Sequence, residues 1–190
     1  MKKRGSSWII LLFVLLIMIV IICAVFGYFY IKKSYVKESY RTKISSGEIK
    51  NPAQNLNIEQ AKQNFDEGFI FYLLVNINAY QLHNPPMSSD TPKIEIIVED
   101  QKFNAEVDSG TINVKKGTIS EKDIVIRTTK DEALKMMNNK SYVEQSFKVG
   151  NSQIEMINSK TTLFSKGYLG LYEDITGKSL TGSAIKIFYN

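Results

Sequence analysis

The amino-terminal part of the chain is dominated by one unbroken apolar run. Residues 8–31 read WIILLFVLLIMIVIICAVFGYFYI and contain no charged side chain. A helix needs about 20 apolar residues to cross a hydrocarbon core of roughly 30 Å. Basic residues flank the run, and aromatic residues stand near both ends, as in membrane-spanning helices. The pattern predicts a membrane-spanning helix over residues 8–31, after a basic flank of residues 1–7.

A cleaved signal peptide is the alternative interpretation of this run. Its apolar region would be shorter, about 7–15 residues, and would end in small residues at the cleavage site. Here the run ends in the bulky Tyr28-Phe29-Tyr30, and Ile22 before Cys23 does not fit a lipoprotein cleavage site. The sequence therefore favours an uncleaved, single-pass signal anchor.

The pattern becomes polar after the run and turns helical again near Asn57. Residues 32–56 are predicted to be a basic juxtamembrane segment and linker, and residues 57–190 a folded domain. Apolar residues then recur at a spacing of three to four up to Phe69, which indicates a helix. In Phe69–Leu82 the apolar residues also alternate, so a strand stays possible, although we favour a helix. Prolines 85 and 86 end this segment.

From Lys93 the apolar positions follow a period of two and are separated by turn residues, which predicts an antiparallel meander followed by further strands. The last of these segments is either a strand or a tail. The predicted strands are Lys93–Glu99, Lys102–Val107, Thr111–Val114, Asp123–Thr129, Ser152–Asn158 and Ser183–Phe188.

Three helices are expected among the later strands. Capping boxes at Thr129–Glu132 and Ser141–Glu144 open the first two, and Gly150 closes the second. Helical spacing over Thr161–Ile175 predicts a third helix, although it contains two glycines. The order of elements predicts an α+β fold: a mostly antiparallel sheet of about five strands with helices packed on one face.

The net charge of +5 lies beside the apolar run. Residues 1–50 hold nine Lys and Arg against two Asp and Glu, whereas residues 93–190 are nearly neutral. A nucleic-acid-binding domain would carry its charge on a domain face, so we expect no nucleic acid partner. Because both flanks of the run are basic, the side of the membrane that the domain occupies stays open. The residues expected to contact anionic head groups are Lys32, Lys33, Lys37, Arg41 and Lys43.

Reactive groups are sparse in the predicted domain. His83 is the only histidine and is expected to be an ordinary loop residue, while Cys23 is the only cysteine and lies in the apolar run. The sequence has no phosphate-binding glycine motif and no nucleophile elbow. We therefore expect no catalysis, no metal and no cofactor, and look to apolar surface for function. Gly167 and Gly170 either let the last helix approach the sheet closely or leave room for an apolar guest beneath it.

Residues 93–177 resemble the sterol carrier protein lipid-transfer domain, as a membrane-anchored variant. The resemblance lies in the strand and capped helix DIVIRTTKDEALKMM, the short helix YVEQSFKVG, the strand SQIEMIN and the closing helix TTLFSKGYLGLYEDI. It implies an apolar site between the sheet and its helices that takes fatty acyl chains, sterols or other lipids. The wall residues that it implies are Met136, Met137, Phe147, Leu163, Phe164, Tyr168, Leu171 and Tyr172.

Three functions are open at this point. The first is a single-pass membrane protein whose domain binds a lipid or another hydrophobic small molecule without breaking a bond. The second is a membrane-tethered module with a solid core that docks a protein partner through an exposed patch. The third is a lipid hydrolase or transferase, which would need a polar triad in a cleft, with His83 as a candidate member.

Overall fold

This computed structural model describes residues 6–178. The predicted strand Ser183–Phe188 lies outside the described residues, as do residues 1–5 of the basic flank and the side chains of Lys32, Lys33 and Arg41. The contacts divide the chain into two units, Met1–Ser39 and Tyr40–Asn190.

Helix α1 runs from Ser6 to Ser45, and the described residues of the first unit all lie in it. Its segment Ile10–Tyr28 is the one helix of the described chain that is long and apolar enough to cross a membrane. None of this segment is buried. Because α1 extends to Ser45, much of the predicted linker, residues 32–56, is helical.

The second unit begins before residue 57. The Tyr40 ring stacks on that of Tyr80 with their centroids 4.6 Å apart, and the Tyr40 hydroxyl donates to the carbonyl of Gly110 over 3.0 Å. Asn51 donates from its side chain to the Asn138 side-chain oxygen over 2.9 Å. These contacts place part of the predicted linker in the folded unit.

Two short helices follow, α2 (Ile58–Gln63) and α3 (Glu67–Asn76), each with a side-chain cap at its start. Asn57 and Gln60 form a reciprocal capping box at α2. After α3 the chain makes a single turn of 3₁₀ helix, Ala79–Gln81. The helical interpretation of Phe69–Leu82 is thus confirmed over most of that segment.

Within residues 6–178 the sheet has five strands: β1 (Lys93–Val98), β2 (Gln101–Asp108), β3 (Thr111–Lys116), β4 (Ile124–Thr128) and β5 (Gln153–Met156). Their spatial order is β3-β2-β1-β4-β5. Only β1 and β4 pair in parallel; the other three pairs are antiparallel. The predicted α+β class with a mostly antiparallel, five-stranded sheet is confirmed.

One face of the sheet is apolar and is covered by the helices. Ile94 pairs with Ala105 on one side and with Ile124 on the other, and all three are fully buried. On the opposite face, polar residues such as Lys102 and Asn113 are exposed. The period-two alternation of the strands produces this division of the two faces.

The connection from β3 to β4 crosses the polar face of the sheet. Asn104 of β2 donates to the carbonyl of Gly117, and Lys122 places its Nζ 2.6 Å from Oε1 of Glu95 in β1. These contacts help to bury Glu95 on this face. They also return the chain to the far side of β1, where β4 pairs.

Helices α4 (Lys130–Asn138) and α5 (Tyr142–Lys148) lie between β4 and β5. Thr129 caps α4, because its hydroxyl accepts from the amide of Glu132 over 3.2 Å. The predicted capping box is only half formed, because the Glu132 carboxylate accepts from Lys135, Tyr142 and Ser146 and not from the Thr129 amide. The capping box predicted at Ser141 is wrong: the Ser141 hydroxyl donates to the side chain of Asn139 instead. Gly150 follows α5 with a φ of 85°, as expected of a helix-terminating glycine.

The closing segment is not the single helix that its apolar spacing predicts. It forms α6 (Lys160–Ser165) and α7 (Tyr168–Thr176), and Gly167 between them has a φ of 85°. Glycine is suited to this left-handed conformation, which interrupts the helix. A Cβ on Gly170 would meet nothing within 4 Å, and Gly170 is exposed. Of the two alternatives for this glycine, close approach to the sheet is therefore excluded.

Candidate functional site

The apolar layer between the sheet and α4–α7 contains most of the wall residues that the resemblance implies. Five of the eight are buried, and Phe147 and Tyr172 are partly exposed. Phe164 of α6 is 71% exposed and faces away from the layer. The five buried residues are Met136, Met137, Leu163, Tyr168 and Leu171. These residues belong to the layer, and none of them lines a described cavity.

The joint between α6 and α7 is fixed by a buried polar cluster. Asp123, immediately before β4, is 0% exposed, and Lys166 is 1% exposed. The Lys166 Nζ lies 3.0 Å from Asp123 Oδ2 and 2.9 Å from Asp90 Oδ2, and it also donates to the carbonyl of Thr91. Tyr168, the first residue of α7, donates its hydroxyl to the same Asp123 oxygen over 3.1 Å.

Further donors complete the environment of Asp123. The backbone amide of Lys93 donates to Oδ2 over 2.8 Å, and the side chain of Asn158 donates to Oδ1 over 2.8 Å. Burial first, and then the charge of Asp123, raise the pKa of Tyr168 well above its usual value of 10.0. Tyr168 therefore stays a protonated donor at neutral pH. The cluster joins β1, β4 and the closing helices, and it is suited to holding them together.

A second buried carboxylate, Glu132 of α4, holds α5 in place. It accepts hydrogen bonds from Tyr142 (3.0 Å), Ser146 (2.8 Å) and Lys135 (2.9 Å). Burial alone would raise the pKa of Glu132, but the hydrogen bonds from Lys135, Ser146 and Tyr142 together lower it. Glu132 is therefore ionised at neutral pH.

A chain of buried hydroxyl groups leads from the sheet to Glu132. The Thr128 and Ser152 oxygens are 2.8 Å apart, as are the Ser152 and Ser146 oxygens. Because Ser146 donates its single proton to Glu132, it accepts from Ser152. The Thr128 hydroxyl is within hydrogen-bond distance of Ser152 at 2.8 Å and of the Thr129 carbonyl at 3.4 Å. The chain links β4 and β5 to α4 and α5 through fully partnered hydroxyl groups.

Two cavities are described in the second unit. One, of about 160 Å³, lies where the end of α3 meets α5 and α7, and its lining includes Ile77, Lys140, Val143 and Asp174. The other, of about 380 Å³, is a polar groove along β2 and β3. None of the eight implied wall residues lines either cavity.

Reactive groups do not converge on a metal site in the described part of the chain, where no cluster of His, Cys, Asp or Glu could hold an ion. His83 lies beside the joint: its ring is 3.4 Å from the point where a Cβ of Gly167 would stand. Its backbone amide donates to the carbonyl of Lys166. Asp123, Lys166 and Tyr168 bond one another and further groups of the chain, which suits a structural clamp better than a reaction centre.

Neither the cluster around Asp123 nor the cluster around Glu132 was predicted from the sequence. Asp123 and Lys166 are 43 positions apart, and only the folded sheet brings them together. One local signal existed: Lys166 and Gly167 interrupt an apolar helical pattern with a charge and a helix breaker. Glu132 was predicted to cap α4 with its side chain, whereas this carboxylate accepts hydrogen bonds from three other side chains.

No protein-family profile matches this chain, and no curated protein matches it. Among solved structures, a double mutant of the sec-alkyl sulfatase PisA1 overlaps 60% of this chain at 14% identity with a TM-score of 0.39. The chain spans 17% of that sulfatase.

Two sterol carrier structures also overlap it. The overlap with sterol carrier protein 2 like 2 from Aedes aegypti includes 48% of this chain and 84% of that protein's chain, at 15% identity and a TM-score of 0.31. Sterol carrier protein 2 from Yarrowia lipolytica covers 64% of this chain and 88% of its own, at 12% identity and a TM-score of 0.28. These are partial likenesses.

Proposed function

We propose that this chain is a single-pass membrane protein whose α+β domain binds a hydrophobic ligand. The ligand is a lipid, held through its acyl chain or ring system in the apolar layer between the sheet and α4–α7. No bond is broken. The basic residues after the membrane span add contacts to anionic head groups.

The observation that carries the anchoring is the exposure of Ile10–Tyr28. This segment is apolar throughout, and none of it is buried against the rest of the chain. Apolar surface costs about 25 cal/mol per Å² in water, so a helix exposed over this length needs a hydrocarbon environment. An intact-mass measurement of the chain from membranes tests the anchor, because signal-peptide cleavage would remove the segment.

The ligand site is supported by the composition of the apolar layer and by the sequence resemblance. Met136 and Met137 of α4 are both buried, and methionine side chains adapt readily to irregular apolar shapes. Leu163 and Leu171 enter the layer from two short helices that meet at a glycine joint.

Photo-cross-linking of the full chain tests this proposal. The chain is reconstituted into phosphatidylcholine vesicles that contain a phosphatidylcholine with a diazirine on its acyl chain. After irradiation and proteolysis, cross-linked peptides are located by mass spectrometry. We expect adducts within 133–147 and 163–176, besides those in the membrane span. Adducts confined to residues 8–31 would contradict the ligand-binding proposal.

A second candidate function is supported by the exposure of α6. Phe164 is 71% exposed, while the core beneath the helices is well filled. A membrane-tethered interaction module with a solid core would show both features. This second function predicts that the diazirine lipid labels the membrane span alone. It also predicts that Phe164→Ala leaves the unfolding midpoint unchanged but weakens association with a protein partner.

A further inference from the structure

The cavity of about 160 Å³ lies at one end of the apolar layer. It is close in size to a cavity of about 150 Å³ that binds one benzene molecule. A complete lipid would need far more room, since pockets for small molecules measure about 300–1,000 Å³. A cavity of this size can therefore take only one end of a lipid.

Two apolar residues of the cavity, Val143 and Ile175, lie on the same helices, α5 and α7, as several of the wall residues that the resemblance implies. The cavity's apolar residues Ile77, Val143 and Ile175 are all buried. Val143 precedes Phe147 by four residues on α5, and Ile175 follows Leu171 by four residues on α7. Residues four apart lie on the same face of a helix. Moving from the cavity along either helix therefore leads to residues that the resemblance places in the wall.

The rim of the cavity is polar and joins three parts of the fold. Asn78, in a left-handed conformation after α3, donates to Asp174 Oδ2 of α7 over 3.2 Å. The Asn78 side-chain oxygen accepts from Lys140 Nζ over 2.9 Å and from the Tyr80 hydroxyl over 3.0 Å. Exposed polar links of this kind contribute little to stability, so the rim can open at small cost.

The rim carries charges of both signs. Lys140 supplies an ammonium group, while Asp174 and Glu144 supply carboxylates. Glu144 also lies 3.7 Å from Lys148, which offsets part of its charge. A head group with only negative charge, such as a carboxylate, could pair with Lys140 but would leave Asp174 and Glu144 without a cationic partner from the ligand. A head group with a phosphate and an ammonium would find a partner for each.

We propose that this cavity is the mouth of the hydrophobic site and holds the head group of a zwitterionic phospholipid whose acyl chain lies along α5 and α7. The inference rests on the proposed function, and it adds the entry point and the head-group class. It assigns Lys140 to the phosphate and Asp174 to the ammonium group.

The cross-linking experiment on the full chain, repeated with a matched pair of variants, tests whether this cavity holds the lipid head group. Asp174→Lys reverses a charge on the rim, and Glu173→Lys makes the same change at the exposed neighbour that does not line the cavity. With diazirine phosphatidylcholine, we expect Asp174→Lys to lower the adducts on α5 and α7 about fivefold. Glu173→Lys should leave them within about twofold. Circular dichroism confirms that both variants are folded.

The outcomes separate this inference from the proposed function. Domain adducts that persist equally in both variants would overturn the mouth but leave lipid binding in place. Their absence from the unaltered chain would overturn both. A diazirine fatty acid that labels α5 and α7 as strongly as the phosphatidylcholine probe would overturn the assignment of a zwitterionic head group. Lys140→Glu provides a second rim variant, and we expect a loss of the same size.

Discussion

Asp123 and Glu132 are both buried carboxylates that hold the helical layer, but their counter-ions differ. The counter-ion of Asp123 is Lys166, which is itself 1% exposed. The counter-ion of Glu132 is Lys135, whose side chain is 56% exposed and also lies over the Tyr142 ring. Both members of the first pair are buried, whereas the Lys135 side of the second pair is exposed to water. Removing a partner should therefore have very different consequences in the two clusters.

The largest effect is expected at Lys166. Lys166→Met keeps much of the side-chain volume but leaves Asp123 buried without its ammonium partner, which costs about 3–5 kcal/mol. Urea unfolding of the full chain in detergent, followed by near-ultraviolet circular dichroism, measures the loss. Lys148→Met is the control, because Lys148 is on the surface and its removal should cost less than about 0.5 kcal/mol. Equal effects of the two variants would break the comparison.

A smaller effect is expected at Glu132. Glu132→Gln removes the charge that accepts from Tyr142, Ser146 and Lys135, and should cost about 1–3 kcal/mol in the same unfolding measurement. A loss as large as that of Lys166→Met would show that exposure of the counter-ion does not distinguish the clusters.

The pH dependence of stability sharpens the same point. Because the pKa of Glu132 is lowered in the folded chain, its ionised form stabilises the fold above the unfolded value of about 4.3. That contribution is lost as the pH falls from there through the folded pKa. The difference in stability between the unaltered chain and Glu132→Gln should therefore shrink on acidification. A constant difference across this range would contradict the assignment.

The smallest effects concern the two glycines of the closing segment. Gly167 has a φ of 85° between Lys166 and Tyr168, which both contact Asp123. Gly167→Ala strains this turn and should destabilise the fold by about 1–2 kcal/mol. Gly170 is inside α7 with open space around it, so Gly170→Ala should stabilise the fold by about 0.5–1 kcal/mol. Thermal unfolding distinguishes them, and shifts of the same sign would contradict the assigned roles.

The five described strands and the helix cap at Thr129 could be predicted from the sequence because their signals are local. The period-two alternation from Lys93 reflects a sheet with one covered face, and Thr129 caps α4 through a contact three residues away. The closing segment could not be predicted as two helices from apolar spacing alone. Phe164 fits the apolar spacing but faces solvent, because the turn at Gly167 changes the direction of the chain.

The candidate site was predictable only in part. The apolar layer could be inferred from residues that fall on helix faces, such as Met136 and Leu171. The clusters around Asp123 and Glu132 depend on groups that meet only after β4 has paired with β1 and the helices have packed on the sheet. The cavity depends likewise on Asn78, Lys140 and Asp174, which come from three distant parts of the chain. Nothing in their local sequence indicates that they meet.

The order of the strands has a consequence for neighbouring copies of the protein. Within the described chain, β3 and β5 are the outer strands, and an outer strand offers unpaired backbone groups to any strand that approaches it. Chains anchored in one membrane would meet one another often. β3 ends in the exposed Lys115 and Lys116, and β5 has only four residues. Charge repulsion between lysines at the β3 edge, and the short length of β5 at the other edge, disfavour pairing between the sheets of neighbouring domains.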